Sequence, residues 1–169
     1  LAAHQQQNQM DEKKETSNKS DGDSMSCGTS IDTVEFCSNS CEVAFNGCKH
    51  DNVNMSLAGI GALRQAIGNT KATPNILDKQ LTEELWDWVL SGFTHESLAQ
   101  GNKGQCECAR IVCVVIIRSN QEKWDNMLGK DECKLMNINR CIALLQKFND
   151  STLTDEASQC IDKMKEFGV

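Results

Sequence analysis

Ala109-Arg110-Ile111-Val112-Cys113-Val114-Val115-Ile116-Ile117 is the stretch whose reading decides the fold. Six of these nine residues are β-branched, a composition that suits a pleated strand. The run also continues into Trp124 and Leu128. Cys113, Ile117, Trp124 and Leu128 stand at offsets of 0, 4, 11 and 15, the spacing of one helical stripe. A central helix buried on most of its faces gives the same apolar run as a buried strand. The segments on either side have helical periodicity and no second run offers a partner strand, so the stretch is read as helix, with a strand over 106–117 as the competing reading.

Downstream, Asp131 stands as the cap of a helix carrying Leu135, Ile138, Cys141, Ile142, Leu145 and Phe148. Thr154, followed by Asp155 and Glu156, is expected to cap a last helix with Ala157, Cys160, Ile161 and Met164 inward. Upstream, Gly101-Asn102-Lys103-Gly104 reads as a loop. Before it, Thr73-Pro74 opens a helix whose stripe is Leu77, Leu81, Leu85 and Trp88, widened by Trp86, Val89 and Phe93. Leu57, Ile60, Leu63 and Ile67 line a further helix ending at Gly68, in which Gly59 and Gly61 point to close packing. From Ser30 on, Val34, Cys37, Cys41, Phe45 and Cys48 share one stripe, with Asp32 and Glu35 as a capping box and Gly47 as a stop. Residues 1–26 are Gln, Asn, Ser, Lys, Asp and Glu with almost no apolar content, so they are expected to form a disordered polar tail.

The chain has ten cysteines in 169 residues: Cys27, Cys37, Cys41, Cys48, Cys106, Cys108, Cys113, Cys133, Cys141 and Cys160. An even, dense set fits an oxidising compartment, because cytosolic thiols are kept reduced. Asn18, Asn54 and Asn149 each open an Asn-x-Ser sequon, which points the same way. The opening Leu1-Ala2-Ala3-His4 has no signal peptide and reads as what signal cleavage leaves behind. Zinc is disfavoured, since the close pairs Cys37-x3-Cys41, Cys106-x-Cys108 and Cys48-x-His50 are not knuckles. The first helix holds three cysteines and the stretch from Cys106 to Cys160 six, while the 57 residues between Cys48 and Cys106 hold none. That cysteine-free pair of helices is held by packing and is where motion to admit a ligand is expected. Spacing alone does not assign the pairs.

Charge and motifs narrow the function. A net charge of −7 lacks the basic surplus that non-specific nucleic-acid binding requires. The longest apolar run, Ile111 to Ile117, is far short of the roughly 18 residues of a membrane span. No Gly-x-Ser-x-Gly elbow, phosphate-binding loop or His-Glu-x-x-His helix occurs. His50-Asp51, after Cys48, resembles the His-Asp pair of secreted phospholipase A2 enzymes. Those enzymes place it in Cys-Cys-x-x-His-Asp-x-Cys behind a glycine-rich calcium loop, and here a single Cys at another spacing precedes it, with no such loop. His95-Glu96 is equally isolated, and His4 lies in the tail. Cysteines paired in disulfides supply no nucleophile.

Cys37-x3-Cys41 is similar to a spacing in insect odorant-binding proteins, which are small, secreted, helical carriers. The other spacings differ and ten cysteines replace their six, so the likeness is of class and implies no membership. Four-helix cytokines offer the same kind of analogy.

The sequence therefore predicts an all-α bundle of five to six short helices over 27–169, cross-linked by about five disulfides. The expected function is that of a secreted, non-enzymatic binding protein without cofactor or metal. It would present a rigid helical surface to an extracellular protein such as a receptor, host or immune factor. Trp86, Trp88 and Phe93 are the expected partner-binding residues, because aromatic anchors dominate interfaces. The alternative is a carrier of a small apolar ligand in a cavity lined by Leu57, Ile60, Leu63, Leu85, Val89 and Ile116.

Overall fold

The computed structural model describes residues 30–68, 74–92 and 103–169, with 30–37 and 74–76 described for the backbone alone. The elements run α1 (Ser30–Cys48), α2 (Val53–Gly68), α3 (Pro74–Gln80), α4 (Glu83–Ser91), α5 (Lys103–Arg118), α6 (Gln121–Lys123) leading into a π-helical turn (Trp124–Leu128), α7 (Glu132–Gln146) and α8 (Ser151–Glu166). Among the described residues there is no strand. The expected tail, Asn18, Cys27, Phe93 and His95 lie outside them.

The β-branched run is helix α5, and it is the centre of the molecule. It packs against α2, α4, α7 and α8, and touches α3. Cys108, Ala109, Ile111, Val112, Cys113, Val115 and Ile116 are wholly buried. Each β-branched residue costs a helix about half a kcal/mol relative to alanine. Burying a Val or Ile side chain recovers about 1.5–3 kcal/mol, so tertiary burial overrides local preference. Lys103 and Gly104 belong to this helix rather than to a loop, and Gly104 is buried.

Two expected helices are each broken in two, so eight α-helices stand among the described residues. The stripe from Cys113 to Leu128 is interrupted at Ser119-Asn120. There Ser119 turns its hydroxyl back to the Val115 carbonyl (2.6 Å), and Asn120 caps α6 by accepting from the Lys123 amide (2.9 Å). Trp124 and Leu128 are still buried, with Trp124 stacked on Phe167 at 5.0 Å. The helix expected from Pro74 to Phe93 breaks at Leu81-Thr82. The Thr82 hydroxyl accepts from the Leu85 amide (3.2 Å), and Glu83 and Glu84 follow in the first turn, a stronger start signal than the continuous stripe. Thr82→Ala is expected to lower stability by about 1 kcal/mol in urea unfolding, whereas Thr82→Ser should be nearly neutral.

Asp131 caps α7 as expected, accepting from the Lys134 amide (2.7 Å). The cap of α8 is Asp150 instead of Thr154. Its carboxylate accepts from the Thr152 and Leu153 amides, and Thr154, inside the helix, bonds back to the Asp150 carbonyl. Helix α1 starts at Ser30, which leaves Asp32 within it.

Helices α1 and α2 form a tight hairpin. A Cβ on Gly59 would lie 2.5 Å from the Cys48 nitrogen and the Gly47 carbonyl carbon, both backbone atoms. Gly61 meets no such neighbour, so only the first of the two glycines is required by packing. Ser56, just upstream, donates to the Cys48 carbonyl (2.6 Å) and closes the turn. Gly59→Ala should destabilise by about 1–3 kcal/mol despite alanine's better helix propensity, and Gly61→Ala should stabilise slightly. Thermal unfolding of the two variants side by side checks this.

Polar ties set the register of the outer helices. Arg64 of α2 pairs with Glu107 of α5, Glu107 reaches Arg110, and Arg110 forms a two-pronged pair with Glu156 of α8 (2.7 and 2.8 Å). Lys134 of α7 holds Asp87 and Glu83 of α4.

Candidate partner-binding face

The expected aromatic anchors do not form one surface. Trp86 is wholly buried and belongs to the core together with Leu85, Val89 and Leu90. It therefore offers nothing to a partner, because position 86 falls on the inner face of α4. Trp88 is half-buried and meets Phe45 of α1 edge to face, with centroids 5.8 Å apart and planes at 76°. Lys49 sits 4.0 Å above the Phe45 ring and pairs with Glu84. This cluster brackets α1 to α4.

Of the residues expected to line a cavity, Ile60, Leu63, Leu85, Val89 and Ile116 are packed in the core, and Leu57 is half-buried against it. Three grooves are described on the surface, and of these six residues only Leu85 lines one of those three. That groove, about 230 Å³ between α1 and the α3–α4 corner, is lined by side chains of both charges, including Glu42, Lys49, Lys79 and Glu84. A second, of about 250 Å³ beside α6, is also polar, with Asp78, Glu122 and Lys123.

The third groove differs in character. It is an open trough of about 420 Å³ between α1 and α2, lined by Asn39, Ser40, Val43, Ala44, Ala62 and Ala66. The inward residues of α1 are Cys41, Ala44, Phe45 and Cys48, so Val43 points away from the core and is 73% exposed. On α2 the stripe Ile60, Leu63 and Ile67 faces α5, while Ala58 and Ala62 are exposed and Ala66 half-buried. Small side chains on both helices leave the trough shallow and apolar. A valine off the core stripe and an Ala58–Ala62–Ala66 row at helical spacing were the sequence signals for it. Sequence reasoning missed them because it weighed aromatic anchors instead.

The groups that could do chemistry are dispersed or muted. His50 is exposed, and its Nδ1 accepts from the Asn52 amide (3.0 Å) in the α1–α2 turn. Among the described residues, no three or more His, Cys, Asp or Glu side chains gather where they could hold a metal ion. The cysteines converge on the core: Cys41, Cys108, Cys113, Cys141 and Cys160 are wholly buried and Cys48 nearly so, while Cys106 is half-buried and Cys133 exposed. No S–S bond joins any two described cysteines. As thiols, Cys48 and Cys108 are each pushed up to about 12 by burial. Burial raises Cys141 and Cys106 too, and Cys113 is raised by its hydrogen bond with Cys160 and by burial. A nucleophilic cysteine needs the opposite shift.

Two of the sequon asparagines are placed: Asn54 is exposed in the first turn of α2, and Asn149 is exposed in the α7–α8 turn. No described helix is long and apolar enough to cross a membrane. Comparison with protein-family models, curated proteins and solved structures gives no match to this chain.

Proposed function

We propose that this chain is a secreted, non-enzymatic binding protein that docks an extracellular protein, such as a receptor, host or immune factor, on the α1–α2 face. The observation that carries the reading is the apolar trough with Val43 exposed at its rim. Contiguous apolar openings are where protein contacts are sought, and the trough is the apolar one among the described grooves. Disulfides among the buried cysteines would hold α1, α5, α7 and α8 in place before contact, which lowers the entropy lost on association. The isolated His50, tied to the Asn52 amide, fits a non-catalytic role. Exposed asparagines at 54 and 149 are sterically open to glycan and fit a secretory route.

Secreted, tagged full-length protein used as bait in extracellular fluid tests the proposal, with Val43→Glu and Ala62→Glu as controls. Both positions are exposed, so the variants should keep the helical circular dichroism and melting temperature of the parent. Each should weaken the captured complex at least tenfold, about 1.4 kcal/mol. Capture of the same partner at unchanged affinity by both variants would place the contact elsewhere.

A further inference from the structure

We infer that the groove between α1 and the α3–α4 corner takes a tyrosine side chain of the docked partner, whose hydroxyl donates to the Gln80 side-chain oxygen. The inference rests on the proposed docking reading and extends it across α1 to a second subsite.

The buried members of the lining are Phe45, Gln80 and Leu85, so they form the floor of this groove of about 230 Å³. Two of them are apolar. The third, Gln80, is 3% exposed and only half satisfied. Its Nε2 donates to the Ala66 carbonyl (3.4 Å), and its Oε1 is buried with no hydrogen-bond partner. Turning the amide over would set its oxygen against the Ala66 carbonyl, so the unmet atom is an acceptor. Buried acceptors without a donor are rare in folded domains, and this one belongs to a residue that lines an opening.

The rim sets the charge of the occupant. Glu42 and Glu84 balance Lys49 and Lys79, and Glu84 already pairs with Lys49. A groove without net charge offers a charged group nothing to offset its desolvation, so the occupant is neutral. Glu42 and Lys79 are exposed and in no ion pair among the described residues, so they can swing aside to admit it. The space falls short of the roughly 300 Å³ at which sites for drug-sized ligands begin, and suits a single ring. Tyrosine carries its hydroxyl at the far end of the ring, where it meets the floor, whereas the indole N–H of tryptophan lies on the ring's flank. This chain has no tyrosine, so a second copy cannot supply the anchor. Glu42 of this groove and Val43 of the trough are consecutive on α1, so one partner surface lying over α1 reaches both.

N-acetyl-tyrosinamide and N-acetyl-phenylalaninamide, which differ by the hydroxyl, are titrated into isotope-labelled full-length protein and followed by NMR. The tyrosine probe should move the Gln80 side-chain amide and Leu85 signals saturably in the millimolar range, at least tenfold tighter than the phenylalanine probe. Gln80→Met keeps the side-chain length and removes the acceptor. It should abolish that preference and weaken the captured complex at least tenfold. The comparison of the two probes on the parent protein stands without the variant. No saturable shift, or equal affinity for the two probes, overturns the subsite. Capture that Val43→Glu weakens and Gln80→Met leaves unchanged overturns it too, and the α1–α2 reading then stands. A probe preference that holds while neither Val43→Glu nor Ala62→Glu affects capture upholds the chemistry of the groove and removes the α1–α2 reading.

Discussion

Trp86→Ala is expected to cost about 3–5 kcal/mol, a large part of the roughly 5–15 kcal/mol that holds a typical domain folded. Trp86 is wholly buried where α4 meets the rest of the core, and alanine there leaves a void that close-packed neighbours fill only in part. Its indole Nε1 is buried without a hydrogen-bond partner, so part of the side chain is already paid for at a loss. Trp86→Phe, which removes that donor and keeps much of the volume, should therefore be far milder than Trp86→Ala. Trp88→Ala gives the contrast: it loses an edge-to-face contact with Phe45, about 0.5–1.5 kcal/mol, together with the burial of a half-exposed ring, and should fall short of Trp86→Ala. Urea unfolding of the three variants checks the order. A Trp86→Ala protein as stable as the parent would remove Trp86 from the core and reopen it as a contact residue.

Ile116→Ala is expected to cost about 2–5 kcal/mol, because Ile116 is wholly buried at the centre of α5 and alanine leaves a void there. At this chain length the loss corresponds to a melting temperature lower by roughly 4–20 °C. A residue that lined an open ligand cavity would tolerate the truncation far better. Scanning calorimetry reads the difference. A variant within about 0.5 kcal/mol of the parent would take Ile116 out of the close-packed core.

The helical class was legible because the segments around Ala109–Ile117 keep helical spacing, and burial of α5 on most faces explains why its composition mimicked a strand. The breaks at Leu81-Thr82 and Ser119-Asn120 were harder to see. In both places the apolar stripe continues across the break, so Leu77 of α3, Leu81 in the break and Leu85 of α4 all reach the core. Thr82 and Asn120 were the available cap signals. Asp150 was likewise visible, yet Thr154 with two carboxylates after it gave the more familiar pattern. The trough could not be read from either helix alone, since it exists only where Val43 of α1 and Ala62 of α2 face the same opening. Which cysteines share the core is equally a property of packing: Cys41, Cys108, Cys113, Cys141 and Cys160 are all wholly buried although four helices supply them.

Intact mass after alkylation in denaturant, with and without prior reduction, asks most directly whether oxidised sulfur cross-links this helical domain outside the cell. Secreted protein should take up no label before reduction and ten labels after it. Ten labels on the unreduced secreted protein would contradict the cross-linked architecture, the oxidising compartment and the pre-set binding face together.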